Sequence, residues 1–292
     1  MRITNRMMND NVMRNLHAGL KRLADLNQQL STGKKISRPH QDPVVARKSM
    51  GFNSSLTQNE QYIRNLDQGI SWLETTDTAI NQVINVLHKA KALAVGGAND
   101  TLNPDDMKAM AEEVDQLLQH ALSLSNTQYD DKYIFAGTNT LTKAFELDVD
   151  GNINYQGNDG EIAYEIGKGV EITVNIHGDA LFDKVFEALQ SLRENLGAGE
   201  PTLIDGDIGM IDEALNITLR EQSKVGAAQN RFEFTKDQLD SQNLSVTELL
   251  SKSEDVDIAE VIMHLNMQEA VYRTALGSAA RIIQPSLIDF LR

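Results

Sequence analysis

The sequence of 292 residues has no cysteine, five prolines, one tryptophan and only 5% aromatic residues. Without thiols there is no disulfide scaffold, no thiolate metal site and no cysteine nucleophile. Absence of cysteine does not fix the compartment. No uninterrupted apolar run approaches the roughly 20 residues of a membrane span. The start, Met1-Arg2-Ile3-Thr4-Asn5-Arg6, leads into Asn9, Asp10 and Asn11 rather than an apolar core, so export, if it occurs, is expected without a cleaved signal peptide. Basic residues are the minority, 27 against 42 acidic, and the net charge of −15 argues against a nucleic-acid binder. His17, His40, His88, His120, His177 and His264 are scattered, and none forms a His-Glu-x-x-His pair. With no Gly-rich phosphate loop and no Gly-x-Ser-x-Gly elbow, neither enzymatic activity nor any cofactor is expected. Glu146, Asp148, Asp150 and Gly151 alternate like half a calcium loop, but Gly157 stands where a bidentate Glu belongs. Asp150-Gly151 therefore reads as a hairpin turn, and no metal site is expected.

What is present is an ordinary share of hydrophobic (41%) and charged (24%) residues, unevenly placed. Residues 1–48 hold ten Lys/Arg and three Asp/Glu, residues 49–254 hold fourteen and thirty-four, and residues 255–292 hold three and five. A basic N-terminal arm thus precedes an acidic middle. Heptad spacing dominates the pattern. Met13, Leu16, Leu20, Leu23, Asn27 and Leu30 form one stripe, closed by Gly33 as a C-terminal cap. Asp42-Pro43 opens a second helix with an unbroken 4,3 series from Phe52 to Ala94, which Gly96-Gly97 ends. Asn103-Pro104 opens a third helix, and a long helix from about Asp207 to Ser251 carries Ile208, Ile211, Leu215, Thr218, Gln222, Val225, Gln229, Phe232, Lys236, Leu239, Asn243 and Val246. A last helix, starting near Asp255 and Asp257, carries Ile258, Ile262, Leu265, Glu269, Tyr272, Leu276, Ala279 and Ile283.

Between Lys132 and about Phe182 the period changes to two, with turn residues at Asn158-Asp159-Gly160 and Gly167-Lys168-Gly169. The expected fold is mainly α with a small β insertion, an elongated antiparallel coiled-coil or helical-bundle rod formed by the N- and C-terminal halves. Three regions are expected: residues 1–42 with 255–292 as a terminal coiled-coil assembly domain, 43–131 with 183–254 as a helical rod, and 132–182 as the β-rich insertion. Pairing the first helix with the last is the economical way to cover both apolar stripes. Such a pair is marginal, since each fully buried Leu or Ile contributes about 1.5–3 kcal/mol against about 1–2 kcal/mol per ordered residue. Neighbouring subunits or a chaperone are therefore expected to complete it. The expected interface comprises Leu16, Leu20, Leu23, Leu30, Ile258, Ile262, Leu265, Tyr272, Leu276, Ile283, Leu287 and Leu291.

At one end the chain reads Met1-Arg2-Ile3-Thr4-Asn5, Asn15-Leu16, Leu30-Ser31-Thr32-Gly33-Lys34-Lys35-Ile36 and Asp42-Pro43. At the other it reads Asp257-Ile258-Ala259-Glu260, Leu265-Asn266-Met267-Gln268, Ala279-Ala280-Arg281-Ile282 and Leu287-Ile288-Asp289-Phe290-Leu291. Together and in this order these motifs resemble the bacterial flagellin superfamily. The Ser37-Arg38-Pro39 loop and Tyr133-Ile134-Phe135-Ala136-Gly137-Thr138 before a small β region are similar to the members that join hook to filament rather than to filament flagellins. One departure is His40-Gln41 before Asp42-Pro43, where relatives carry an acidic or Ser-Asp pair. The resemblance implies an extracellular structural role at the distal end of the hook of the bacterial flagellum, after type III export with a cytoplasmic flagellar export chaperone. It implies self-assembly into a ring of about eleven subunits, with hook-associated protein 1 and flagellin as neighbours. Nucleic acid and membrane are not implied. The alternatives are a filament flagellin and, in another class, a coiled-coil binding module or adhesin using the β domain.

Overall fold

A computed structural model describes residues 5–98, 103–148 and 153–283. Among these the order is α1 (Asn5–Thr32), α2 (Pro43–Gly97), α3 (Pro104–Ser125), β1 (Gln128–Tyr129), β2 (Lys132–Tyr133), β3 (Phe145–Leu147), β4 (Ile153–Tyr155), β5 (Ala163–Gly167), β6 (Val170–Thr173), α4 (Gly178–Ala198), α5 (Pro201–Glu254) and α6 (Ile258–Ile283). The fold is mainly α with a small β insertion. Two compact units divide it: residues 1–58 with 242–292, and residues 59–241. The division runs through α2 and α5, whereas the sequence alone suggests breaks at Asp42 and Asp255.

In the unit of residues 59–241, α2 and α5 run antiparallel. The heptad positions expected on both helices are buried or half-buried along this length. Their polar members pair across the two helices. Lys91 Nζ lies 2.6 Å from Asp212 Oδ1, and Gln222 Nε2 donates to Asp77 Oδ1 at 3.2 Å and to Asn81 Oδ1 at 2.9 Å. Lys236 Nζ reaches Asp67 Oδ1 at 2.7 Å. Half-exposed pairs of this kind contribute about 0–1 kcal/mol each, so they set the register more than the stability. Gly69 lets the helices approach: a Cβ there would sit 2.2 Å from Cε1 of the fully buried Phe232.

Helix α5 starts at Pro201, earlier than the periodicity suggests. Gly199 adopts φ 71°, its N–H closes α4 on the carbonyls of Asn195 and Leu196, and Pro201 then starts the next helix at once. Asp207, only 2% exposed, fastens α5 to α4 by accepting hydrogen bonds from Ser191 Oγ (2.5 Å) and Asn195 Nδ2 (2.8 Å).

The β insertion is three two-stranded antiparallel hairpins, β1–β2, β3–β4 and β5–β6. Its strands span 128–173, and α4 already begins at Gly178, so the β period ends before Phe182. The turn expected at Asp150-Gly151 lies outside the described residues. Asp130 and Asp131 link β1 to β2 with φ 51° and 59°, the mirror-image turn that suits the strand twist but favours Asn-Gly. Phe135, Phe145, Phe182 and Phe186 form an aromatic cluster under these hairpins, with ring centroids 4.9–5.7 Å apart. Tyr155 joins it and donates its hydroxyl toward the carbonyls of Phe135 and Asn158, both at 3.2 Å. Burial first, then Asp179, Asp159 and Asp183, push its pKa up to about 12.

Candidate assembly surface

The unit of residues 1–58 with 242–292 holds the two terminal helices, and local signals place them. At the end of α1, Gly33 takes φ 69° and its N–H donates to Gln29 O at 2.8 Å. The chain then leaves extended and bridges the α5–α6 junction: Lys35 N–H donates to Glu254 O at 2.6 Å and Val256 N–H to Gly33 O at 3.0 Å. Asp257 caps α6 by accepting the N–H groups of Ala259 (2.9 Å) and Glu260 (3.2 Å). Asp42 caps α2 in the same way through Val44 and Val45. A bridge at residues 33–35 and 254–256, and a contact of Gly19 with Tyr272, make α1 and α6 antiparallel.

The seam between them has a different register from the expected one. On α1 it consists of Val12, Leu16, Gly19, Leu23, Leu26 and Leu30, and on α6 of Val261, Leu265, Gln268, Tyr272, Ala275 and Ala279. Each series is spaced 4,3,4,3,4. Of the expected interface, Leu16, Leu23, Leu30, Leu265 and Tyr272 are half-buried in this seam. Leu20 (46% exposed), Ile258 (54%), Ile262 (43%) and Leu276 (44%) are not in it. The side chain of Ile283 and all of Leu287 and Leu291 lie outside the described residues. Among the residues of the α1 stripe, Met13 and Asn27 also face out. The physical reason is Gly19. The Tyr272 ring packs where a Cβ would be 3.4 Å from its Cδ2, so the glycine takes the seam and Leu20 is turned outward. Reading apolar side chains alone favours Leu20 over Gly19 and passes over Gln268; the 4,3 series through Gly19 and Leu26 is the signal that finds the actual register.

Two side chains outside the expected set organise this unit. Glu254, 9% exposed, receives the Ser49 hydroxyl on Oε2 at 2.9 Å and Lys34 Nζ on Oε1 at 2.6 Å. Gln41 folds the α1–α2 loop, its Oε1 accepting the N–H groups of Ser37 (2.8 Å) and Arg38 (3.1 Å). A neutral amide therefore fastens this loop. His264 lies on α6 with Nε2 3.5 Å from Glu260. Once the seam has formed, Met7, Met8, Met13, Leu20, Ile258, Ile262, Met263, Met267, Val271 and Leu276 remain, among the described residues, as exposed apolar side chains on the two helices. No group of three or more potential metal ligands occurs among the described residues, and no described helix is long and apolar enough to cross a membrane.

A helical unit that pairs α1 with α6, together with a second unit built from residues 59–241, defines a class of mainly helical structural protein. The bacterial flagellin N-terminal helical region matches residues 3–140, and the flagellin C-terminal helical region matches residues 208–291. The chain belongs to the bacterial flagellin family. It is 26% identical over 186 residues to flagellar hook-associated protein 3 of Escherichia coli K12, covering 63% of this chain and 58% of that protein. It thus spans less than two thirds of the length of that relative. It is also 27% identical over 277 residues to a flagellin of Halalkalibacterium halodurans, covering 94% of this chain and 93% of that one. In structure it resembles Bacillus cereus FlgL, with TM-score 0.62, 25% identity and coverage of 69% and 99%. Hook-associated protein 3 of Legionella pneumophila shares the fold at TM-score 0.65 and 16% identity, covering 69% of this chain and 97% of that one. The chain is accordingly a flagellar structural protein that resembles hook-associated protein 3.

Proposed function

We propose that this chain is a hook–filament junction protein, assembling as a ring at the distal end of the hook and adapting it, through hook-associated protein 1, to the flagellin filament. The observation that carries this reading is the apolar surface left on α1 and α6 after they have paired. Ten exposed Leu, Ile, Met and Val side chains among the described residues of one helix pair are more than a solvated surface helix displays, and they suit burial by neighbouring subunits. The same surface, half-covered, suits an export chaperone before assembly. The likeness to hook-associated protein 3 in sequence and fold supports the junction over other positions in the flagellum.

A second reading, a filament flagellin, is favoured by the near-full-length alignment with the Halalkalibacterium flagellin. Location separates the two. Labelled antibody against this chain should mark the hook tip, and a strain lacking the gene should keep its hook and shed flagellin into the medium. Label along the whole filament, or purified chain growing long filaments, would establish the flagellin reading instead. Leu20→Asp and Leu276→Asp should block incorporation with the α1–α6 seam intact, because both side chains lie outside that seam.

A further inference from the structure

The α1–α2 loop and the adjoining face of α1 enclose an open polar cleft of about 690 Å³. Lys21, Lys35, Arg38 and His40 line it, with Asp25 the one carboxylate on its wall among the described residues. The cleft is held in shape before anything binds. Gln41 fastens residues 37 and 38, Gln29 Nε2 donates to Lys35 O at 3.1 Å, and Lys35 Nζ donates to Lys252 O at 3.2 Å. Gln41 does this as a neutral amide, so closing the loop adds no negative charge.

Few of the cations here meet a carboxylate. Of Arg14, Lys21, Arg22, Lys34, Lys35, Arg38, Arg47 and Lys48, Lys34 alone has one within salt-bridge distance among the described residues, namely Glu254. The central stretch, residues 59–241, has the opposite imbalance, with 13 Lys/Arg against 32 Asp/Glu. Around the start of α4 several of these carboxylates gather beside Tyr155. Asp183 on α4 has its pKa raised, by partial burial first and then by Asp179 one turn away, and Tyr155 beside them is pushed up by burial and by Asp179, Asp159 and Asp183. Asp179 and Asp183, four residues apart, lie on one face of α4 with about 5–6 Å between their Cβ atoms.

We infer that this basic cleft receives the acidic face of α4 in a second copy of the chain, with Asp179 and Asp183 seated against Lys21 and Arg38. The inference rests on the reading of the chain as a self-assembling flagellar component, and it names a contact separate from the apolar surface of α1 and α6. A preformed cleft loses little freedom on binding, and charge complementarity of this kind fixes which surfaces meet and in what register. It also makes the contact sensitive to salt, because rim charges are screened once the Debye length falls to about 8 Å near 0.15 M.

Sedimentation equilibrium of the full chain tests it. Self-association at about 20 mM salt should weaken roughly ten-fold by about 150 mM. Lys21→Glu with Arg38→Glu should lower it at low salt by at least about ten-fold, as should Asp179→Lys with Asp183→Lys in a separate protein. Mixing the two charge-reversed proteins should restore association, which neither shows alone. Circular dichroism guards against misfolding, and Arg38→Gln, in the exposed loop, gives a milder version of the same loss. Association that is indifferent to salt, a charge-reversed protein that associates as the parent does, or a mixture that stays apart would each overturn the contact. So would binding of acidic phospholipid vesicles by a chain that does not self-associate at low salt. A chain found at the hook tip whose association ignores these charges would sink this inference alone, whereas absence from the hook tip would sink the junction reading.

Discussion

Glu254 offers the most direct test of how the terminal unit is held. Replacing it by Ala removes the acceptor of the buried Ser49 hydroxyl and the counter-ion of Lys34, while the backbone bridge through Lys35, Glu254 O, Val256 and Gly33 needs no side chain and stays. A hydrogen bond to a charged acceptor contributes about 1.5–3 kcal/mol. The ion pair adds less: Lys34 is half exposed and Glu254 only 11% exposed at the side chain, and pairs open to water on one side contribute about 0–1 kcal/mol. Ser49 can turn its hydroxyl to a carbonyl in the preceding turn, which brings the expected loss to about 2–3 kcal/mol. At about 1.4 kcal/mol per factor of ten, that loss multiplies the population of the opened terminal unit roughly 30- to 150-fold.

Native-state hydrogen exchange resolved by peptide mass spectrometry would read this directly. Peptides of α1 and α6 should lose protection by that factor, and peptides covering Phe135, Phe182 and Phe186 should not change. Glu254→Gln keeps an acceptor for Ser49 and loses only the charge, so its effect should be about a third of the alanine variant's or less. Equal effects of the two substitutions would refute the assignment of most of the energy to the buried hydroxyl. An equal loss of protection throughout residues 59–241 would refute the separation of the two units.

Three further outcomes follow from local geometry. Gly69→Ala should destabilise by about 1–2 kcal/mol in urea unfolding, because Phe232 is fully buried and cannot step aside, whereas Gly226→Ala, with open space at its Cβ, should stabilise by about 0.5–1 kcal/mol; equal signs would contradict the packing argument. Asp131→Gly should raise the melting temperature by roughly 1–2 °C, since relief of the left-handed strain at φ 59° slightly exceeds the entropy that glycine adds to the unfolded chain; an unchanged or lower midpoint would count against it. Tyr155, pushed up to about 12, stays protonated in the folded chain where the unfolded chain ionises near 10, so its contribution is complete below pH 10 and is lost as pH rises from there to 12. Ultraviolet titration of tyrosinate should show one late step that Tyr155→Phe removes, and persistence of that step would reassign it.

The sequence made the middle of the molecule more legible than its ends, and the reason is physical. On α2 and α5 the heptad series carries large side chains at Leu66, Leu73, Ile80, Leu87, Ile211 and Phe232, all nearly or completely buried. Misplacing such a series by one residue would expose most of it, so apolar pattern and register coincide. The caps at Asp42 and Asp257 were equally legible, because an Asx side chain before a helix has a local hydrogen-bonding role that needs no tertiary context. The β insertion was legible as a period of two but not in its extent. Its strands are only two to five residues long, and α4 follows with a helical face of Leu181, Phe182, Val185 and Phe186 that continues the apolar density without a break.

At the terminal helices the rule that apolar side chains mark the core loses its force, because these helices have more apolar surface than one partner can cover. Leu16 and Leu20 stand on the same helix one turn apart, yet only Leu16 enters the seam, and on α6 Ile262 stays out while Val261 is buried. Gly19 and Ala275 settle the choice, since small side chains allow α1 and α6 to approach and Tyr272 to lie over the glycine. A stripe reading that scores size therefore selects the residues left for other molecules and misses those that close the pair. For the same reason the expected interface divides into two sets with different consequences. Substituting Leu265 or Leu23 should open the helix pair, whereas substituting Leu20 or Leu276 should leave it closed and remove only what lies outside it. A chain whose α1 and α6 are protected from exchange in solution but fail to incorporate after Leu20→Asp would separate pairing from assembly. Loss of both together would mean that the pair forms only within the assembled structure.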